Sequence, residues 1–285
     1  MLVGRMTVCG VGLVGGSLAL AVRKSGLARE VVGFDRERSN LDFALSHGLI
    51  SRAADSPAAA AQGAELVVLA TPVLAMPKVL AAMAAHLPDG AVVSDTGSVK
   101  AWVARKLAPL LRGGMALVPA HPIAGKELGG PAAAEASLFA GRRVIITPCA
   151  RTSADGLRVV EAVYRSLGAA VEMMDAQTHD ELLAHASHLP QIAATALALA
   201  LGPARVGDKA AFEYGASGLR DMTRLALSQP ELWRDVCLTN REPLLRALAL
   251  YREALDEMQQ LIEQGDAPGL AAALARGRRM REQLK

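Results

Sequence analysis

Gly10-Val11-Gly12-Leu13-Val14-Gly15 decides how this 285-residue chain is read. The stretch follows the apolar run Arg5-Met6-Thr7-Val8-Cys9 and opens a helical pattern at Leu13. In that context each glycine has a use. Gly10 allows a tight turn, Gly12 lets a pyrophosphate approach the backbone, and Gly15 lets the helix pack on the strand. The helix start, with Leu13 and Val14 in its first turn, offers unpaired N–H groups and a positive dipole end to phosphates. Asp35 ends the next strand, 20 residues after Gly15. An acidic residue there binds adenosine ribose hydroxyls and repels a 2′-phosphate, so NAD is favoured over NADP. Arg36 follows directly and could pair with such a phosphate, which weakens the preference and leaves NADP possible.

Outward from this turn, short β-rich runs alternate with helical patterns. RMTVCG, EVVGF, ELVVLA, AVVSD, MALVPA, RRVIIT and AAVEMMD read as strands, several apolar throughout, as parallel strands buried on both faces are. Between them Leu13–Ser25, Arg38–His47, Leu74–His86, Val99–Leu111 and Ala154–Leu167 read as helices. That alternation predicts an α/β fold, a Rossmann-type doubly wound and mostly parallel sheet, over residues 1–174. After Asp175 no convincing strand follows. Residues 175–285 read as an all-helical domain, broken at Pro190, at Gly202-Pro203, in the YGASG stretch and at Gly265.

Composition narrows the function classes. Hydrophobic residues make up 52% of the chain and charged residues 21%, which excludes a disordered chain. The net charge is only +3 and aromatics are 3%, so no nucleic-acid partner is expected. The longest apolar run, Ile192–Leu201, is ten residues, too short to span a membrane. Three separated cysteines, Cys9, Cys149 and Cys237, and no signal-peptide pattern fit a reducing, cytoplasmic location.

The remaining chemistry sits where strands end, which is where open α/β sheets bind ligands. Thr71-Pro72 follows ELVVLA and is read with the cofactor set. Asp95-Thr96-Gly97-Ser98-Val99-Lys100 follows AVVSD; Ser98 could cap the next helix, and capping would still leave its hydroxyl able to donate a proton. His121, after MALVPA, is a candidate general base because its ordinary pKa lies near neutrality, although a lone His could equally be structural. The glycine-rich stretch after Glu127 reads as a loop or lid. His185 and His188 lie three apart on one helix face, but the nearby Asp180 and Glu181 are out of register, so no metal is expected. His179 and His185 read as ordinary histidines, and Trp233 and Met258 as core or dimer interface.

Together, the segments GVGLVGGSLA, VGFDR, ATPV, SDTGSVK, HPIAGKE, THDELLAHASHLPQ, GLRDMTRLA and LWRDVCLTNRE resemble the prephenate/arogenate dehydrogenase family of tyrosine biosynthesis. The resemblance implies a Rossmann-type domain joined to a helical domain that forms a homodimer. It implies NAD-dependent oxidation and decarboxylation of prephenate to 4-hydroxyphenylpyruvate, or of arogenate to tyrosine. It makes His121 the catalytic histidine on the ring hydroxyl, Ser98 its partner, Arg224 the carboxylate anchor and His188 a pocket residue. Lys100 is read as a further substrate-binding residue. Two positions depart from the family pattern: Gln191 stands where several members carry a second His, and Gly129 replaces a Ser. A neutral Gln191 lacks the charge a protonated His could offer a pyruvyl carboxylate, so prephenate and arogenate are both expected to be accepted.

Two other readings compete. A β-hydroxyacid or imine dehydrogenase shares this architecture, but the hydroxyacid enzymes use a second-domain lysine, and Lys209 and Lys285 sit in no matching motif. A non-catalytic dinucleotide sensor would keep Gly10, Gly12, Gly15 and Asp35 but has no use for His121, Ser98 and Arg224 together.

Overall fold

The computed structural model describes residues 1–125 and 129–284. Strands β1 (Val3–Cys9), β2 (Ala28–Phe34), β3 (Arg52–Ala53), β4 (Leu66–Leu69), β5 (Val92–Asp95) and β6 (Ala116–Val118) form one parallel sheet in the order β3-β2-β1-β4-β5-β6. Helices α1 (Leu13–Lys24), α2 (Arg38–Ser46), α3 (Pro57–Ala61), α4 (Met76–Ala84) and α5 (Ala101–Leu107) cross between them. Alternate residues serve opposite faces. Met6, Val8, Leu66 and Val68 join the core on one side, while Cys9, Val67 and Leu69 join the core on the other. This double burial explains the continuous apolar runs.

The single expected sheet is in fact two. MALVPA divides at Pro119, which has no N–H to give a ladder. Past it, β7 (Ala120–Pro122) leaves the main sheet and pairs antiparallel with β8 (Arg143–Ile146), which pairs in parallel with β9 (Ala170–Met173). Helix α6 (Ala154–Ser166) joins β8 to β9. His121 therefore lies on a strand of a small second sheet, opposite Ile145.

The part after Met173 is helical, with one correction. Helices α7 (Ala176–Leu183) and α8 (Leu189–Leu201) are followed by a short hairpin, β10 (Arg205–Val206) and β11 (Lys209–Ala210), where no strand was expected. Then come α9 (Ser217–Thr223), α10 (Pro230–Thr239), α11 (Arg241–Glu263) and α12 (Ala267–Glu282). Pro190 does not break the chain. A π-turn over Ala184–His188 runs directly into α8, and Pro190 falls in the first turn of α8. The widened turn absorbs the missing N–H and rotates His188 inward. No described helix is long and apolar enough to cross a membrane.

Candidate active site

The glycine turn has the shape a dinucleotide needs. Gly10 adopts φ +93°, and a Cβ there would lie 2.6 Å from the Ala70 carbonyl oxygen. A Cβ on Gly15 would come within 1.9 Å of the Gly10 oxygen, so only glycine lets α1 sit this close to β1. Gly12 faces open space. It also caps α1, and no side chain caps that end, so the first N–H groups of the helix stay available. Asp35 fastens the turn: one carboxylate oxygen accepts from the Val11 N–H at 2.9 Å, the other from the Glu37 N–H at 2.9 Å and from Asn40 Nδ2 at 3.3 Å. The Arg36 side chain is 92% exposed and pairs with Glu37.

A cleft of about 570 Å³ opens beyond the carboxyl ends of β1, β4 and β5. Gly12, Leu13 and Val14, Thr71 and Pro72, Ser98 and His121 line it from the sheet side. Arg224 and Trp233 close it from the helical part. Thr71 Oγ1 is buried there and finds no hydrogen-bond partner among the described residues. An orphaned hydroxyl beside an uncapped helix start suits a polar cofactor edge, so these residues fit a nicotinamide dinucleotide. Trp233, expected in the core or an interface, belongs instead to this wall, with its ring edge-on to His188 at 6.0 Å.

His121 is buried, and its Nδ1 lies 2.8 Å from Nε2 of His179, whose Nδ1 lies 2.8 Å from Asp180 Oδ1. Burial pushes the His121 imidazole well below its ordinary pKa, and the neighbouring His179, Lys100 and His188 disfavour its charged form further. His179, read from the sequence as ordinary, is thus the ring partner of the candidate base, and the observed nitrogen contact is to it rather than to Ser98. Its signal in the sequence was only the Thr178-His179-Asp180 triplet, which spacing rules do not separate from a solvated helix face.

Other expected roles change. Ser98 does not cap α5, whose first residue follows Lys100 with no side-chain cap from its own segment. Asp180 reaches across from α7 instead, accepting from the Lys100 N–H at 2.7 Å and the Ala101 N–H at 2.9 Å. Lys100 is not a substrate ligand. Its side chain is fully buried, pairs with Asp95 and donates to the Ala120 carbonyl at 2.7 Å. Asp95 in turn accepts from the Gly97 N–H at 2.8 Å and the Ala120 N–H at 3.3 Å. The pair therefore grips the peptide just before His121. His188 and Gln191 do not line the cleft. Both are buried behind it, with His188 Nδ1 3.0 Å from Asn240 Nδ2 and Gln191 Nε2 donating to the Leu225 carbonyl at 2.9 Å. His188 Nε2 and Gln191 Oε1 find no partner among the described residues. Lys126 and Glu127 of the HPIAGKE segment lie outside the described residues; the glycine-rich stretch expected to be a loop or lid is described from Gly129, lines the cleft at Gly129 and Gly130, and buries Leu138 and Phe139 in the core.

Comparison with known proteins places the chain. The family described as prephenate dehydrogenase, nucleotide-binding domain, matches residues 18–173, and prephenate dehydrogenase, dimerization domain, matches residues 175–276. A cyclohexadienyl dehydrogenase of Zymomonas mobilis is 34% identical over 98% of this chain and 96% of its own length. The crystal structure of a prephenate dehydrogenase from Aquifex aeolicus, in complex with hydroxyphenyl propionate and NAD+, superposes with a TM-score of 0.93 at 30% identity, covering 99% of this chain and 98% of that one. A Synechocystis arogenate dehydrogenase superposes with a TM-score of 0.82 at 30% identity, covering 99% of this chain and 100% of that one.

Proposed function

This chain belongs to the prephenate dehydrogenase family, and we propose that it converts prephenate to 4-hydroxyphenylpyruvate, accepts arogenate as well, and uses NAD⁺ as oxidant. One observation carries this reading: a single cleft holds the open side of Gly12, Ser98, His121 and Arg224 together. In this reading residues 1–174 hold the dinucleotide and residues 175–285 the substrate and the partner subunit, a division supported by the family matches over 18–173 and 175–276.

NAD⁺, when bound, supplies the oxidising power. The glycine turn and the first turn of α1 hold its pyrophosphate, and Asp35 its ribose. His121, neutral in its buried site, takes the proton of the ring hydroxyl. Ser98 lies in the same wall, placed to steady that hydroxyl. Arg224 at the cleft wall grips a substrate carboxylate through its planar fork. Loss of a hydride from the hydroxyl-bearing carbon to the oxidant, of the hydroxyl proton to His121 and of CO₂ from the opposite carbon makes the ring aromatic, so the protein must supply orientation and a base rather than driving force. The direct test is to mix purified protein with NAD⁺ and prephenate, or arogenate, and follow NADH absorbance. Absence of NADH from both substrates would overturn the proposal.

Two expected outcomes separate binding roles from chemistry. Arg224→Ala should raise KM for prephenate about 10–100-fold, the worth of a charged hydrogen bond, and leave the acid side of the pH–rate profile where it was. Steady-state kinetics across pH checks this, and an unchanged KM would remove Arg224 from the anchor role. Asp35→Ser should narrow the preference for NAD⁺ over NADP⁺ by about tenfold or more, because the like charge facing a 2′-phosphate is gone. It should also weaken NAD⁺ itself, since Asp35 holds Val11. The two cofactors' kcat/KM values give the ratio.

The helical part also points to a homodimer. Leu199 is 72% and Leu227 81% exposed, and Leu238, Leu250 and Ile262 also face outward. These exposed apolar side chains lie in the segment matched to a dimerization domain, which supports an interaction surface there. Sedimentation velocity at about micromolar concentration should give a dimer, and a monomer would count against the assignment. The three cysteines are free, as befits the cytoplasm in which we place the enzyme.

A further inference from the structure

We infer that His179 and Asp180 are positioning residues that fix the tautomer of His121, so that its Nε2 carries the lone pair toward the substrate. The inference rests on the reading of His121 as the base and deepens it. Asp180 accepts two peptide N–H groups, from Lys100 and Ala101, in addition to the His179 ring. Every contact it makes through its carboxylate is with a donor, so the 2.8 Å contact at His179 Nδ1 is an N–H donated to Asp180. A neutral imidazole has one donor and one acceptor nitrogen, so His179 Nε2 is the acceptor. The 2.8 Å contact from His121 then runs from its Nδ1–H to His179 Nε2. With that proton on Nδ1, Nε2 is the basic nitrogen of a ring that lines the cleft.

The chain also prepares for the charge His121 acquires. When Nε2 takes the hydroxyl proton, the Nδ1–H bond to His179 strengthens, and the Asp180 carboxylate lies at the far end of the row. Of the described groups around it, Lys100 is paired with Asp95 and His188 with Asn240, and Asp180 is the carboxylate that ends this row. His179 and Asp180 are buried, so water does not substitute for either.

The first test needs no variant. Long-range ¹H–¹⁵N correlation spectra of the full-length protein labelled at histidine, with His121 identified by its loss in His121→Asn, should show Nδ1 protonated and Nε2 unprotonated. Protonation at Nε2 in the free enzyme overturns the inference. The second test uses a pair of substitutions. His179→Phe fills the space but cannot accept the bond, and should lower kcat about 10²-fold or more with KM and NAD⁺ affinity within about threefold. His179→Gln offers an amide oxygen to the same N–H and should recover at least about tenfold of that loss. Equal kcat for the two variants means His179 serves packing only and overturns the inference. Wild-type kcat in His121→Asn would instead topple the base reading itself, a different result from either of these.

Discussion

His121→Asn should lower kcat by about 10²–10⁴-fold, the usual contribution of a general base. Asparagine keeps a hydrogen-bonding side chain but cannot take the proton. NAD⁺ affinity should persist, because Gly10–Gly15 and Asp35 are untouched. The pH dependence follows from burial. The His121 ring is held well below its ordinary value of 6.5, so the working, neutral form persists through neutral pH and is lost only as pH falls through that lowered value. The acid limb of the wild-type profile should therefore lie below the ordinary imidazole range. The same groups act on stability with a definite sign. His188 is pushed down to about 4, mainly by burial. Below about 6.5 the unfolded chain binds protons that both native rings still exclude, so folding stability falls as pH drops through that window. An acid limb retained unchanged in His121→Asn would transfer the base role to another residue.

Lys100→Met should cost about 3–5 kcal/mol of folding stability, the scale for leaving one charge of a buried pair without its partner. Burial pushes the Lys100 amine down and the Asp95 carboxyl up, so the pair is taken out of water at a cost that each partner offsets for the other. Without the ammonium, Asp95 keeps only its peptide donors from Gly97 and Ala120. Adding Asp95→Asn to Lys100→Met should restore much of the loss, since an amide tolerates that site uncharged. Urea unfolding of the single and double variants measures both effects. KM for prephenate should stay near wild type in the folded protein, in contrast to Arg224→Ala. A single variant as stable as wild type would show that the pair does not hold this peptide.

The contrast between Lys100 and Gly15 shows what the chain alone makes legible. Gly15 announces its role locally: its spacing from Gly10 and Gly12, the strand before it and the helix after it are all within one short segment. The same holds for Asp35 and for strand ends such as Thr71 and His121, so the parallel sheet and the sheet side of the cleft could be read directly. Lys100 sits in an equally suggestive motif, yet its partner Asp95 and the Ala120 carbonyl become neighbours only because β5 and the β6–β7 crossing lie side by side. His179 meets His121 across 58 residues of sequence, and Asp180 meets Lys100 across 80. Periodicity carries no signal for such contacts. The division of MALVPA into two strands hid for a related reason: apolar character continues through Pro119, and only the missing N–H marks the point where pairing changes sheets. Trp233 looked like packing because cleft walls and cores draw on the same residue types.

The reach of Asp180 across the two halves of the chain bears on how such enzymes can be rebuilt from parts. A graft made at the junction near residue 174, joining this dinucleotide half to the helical half of a distant relative, would keep every residue that grips the cofactor. It would also discard the acceptor behind His121 and the cap of α5 in one cut. Such hybrids would bind NAD⁺ and turn over poorly unless the incoming helix brought its own His-Asp pair in register.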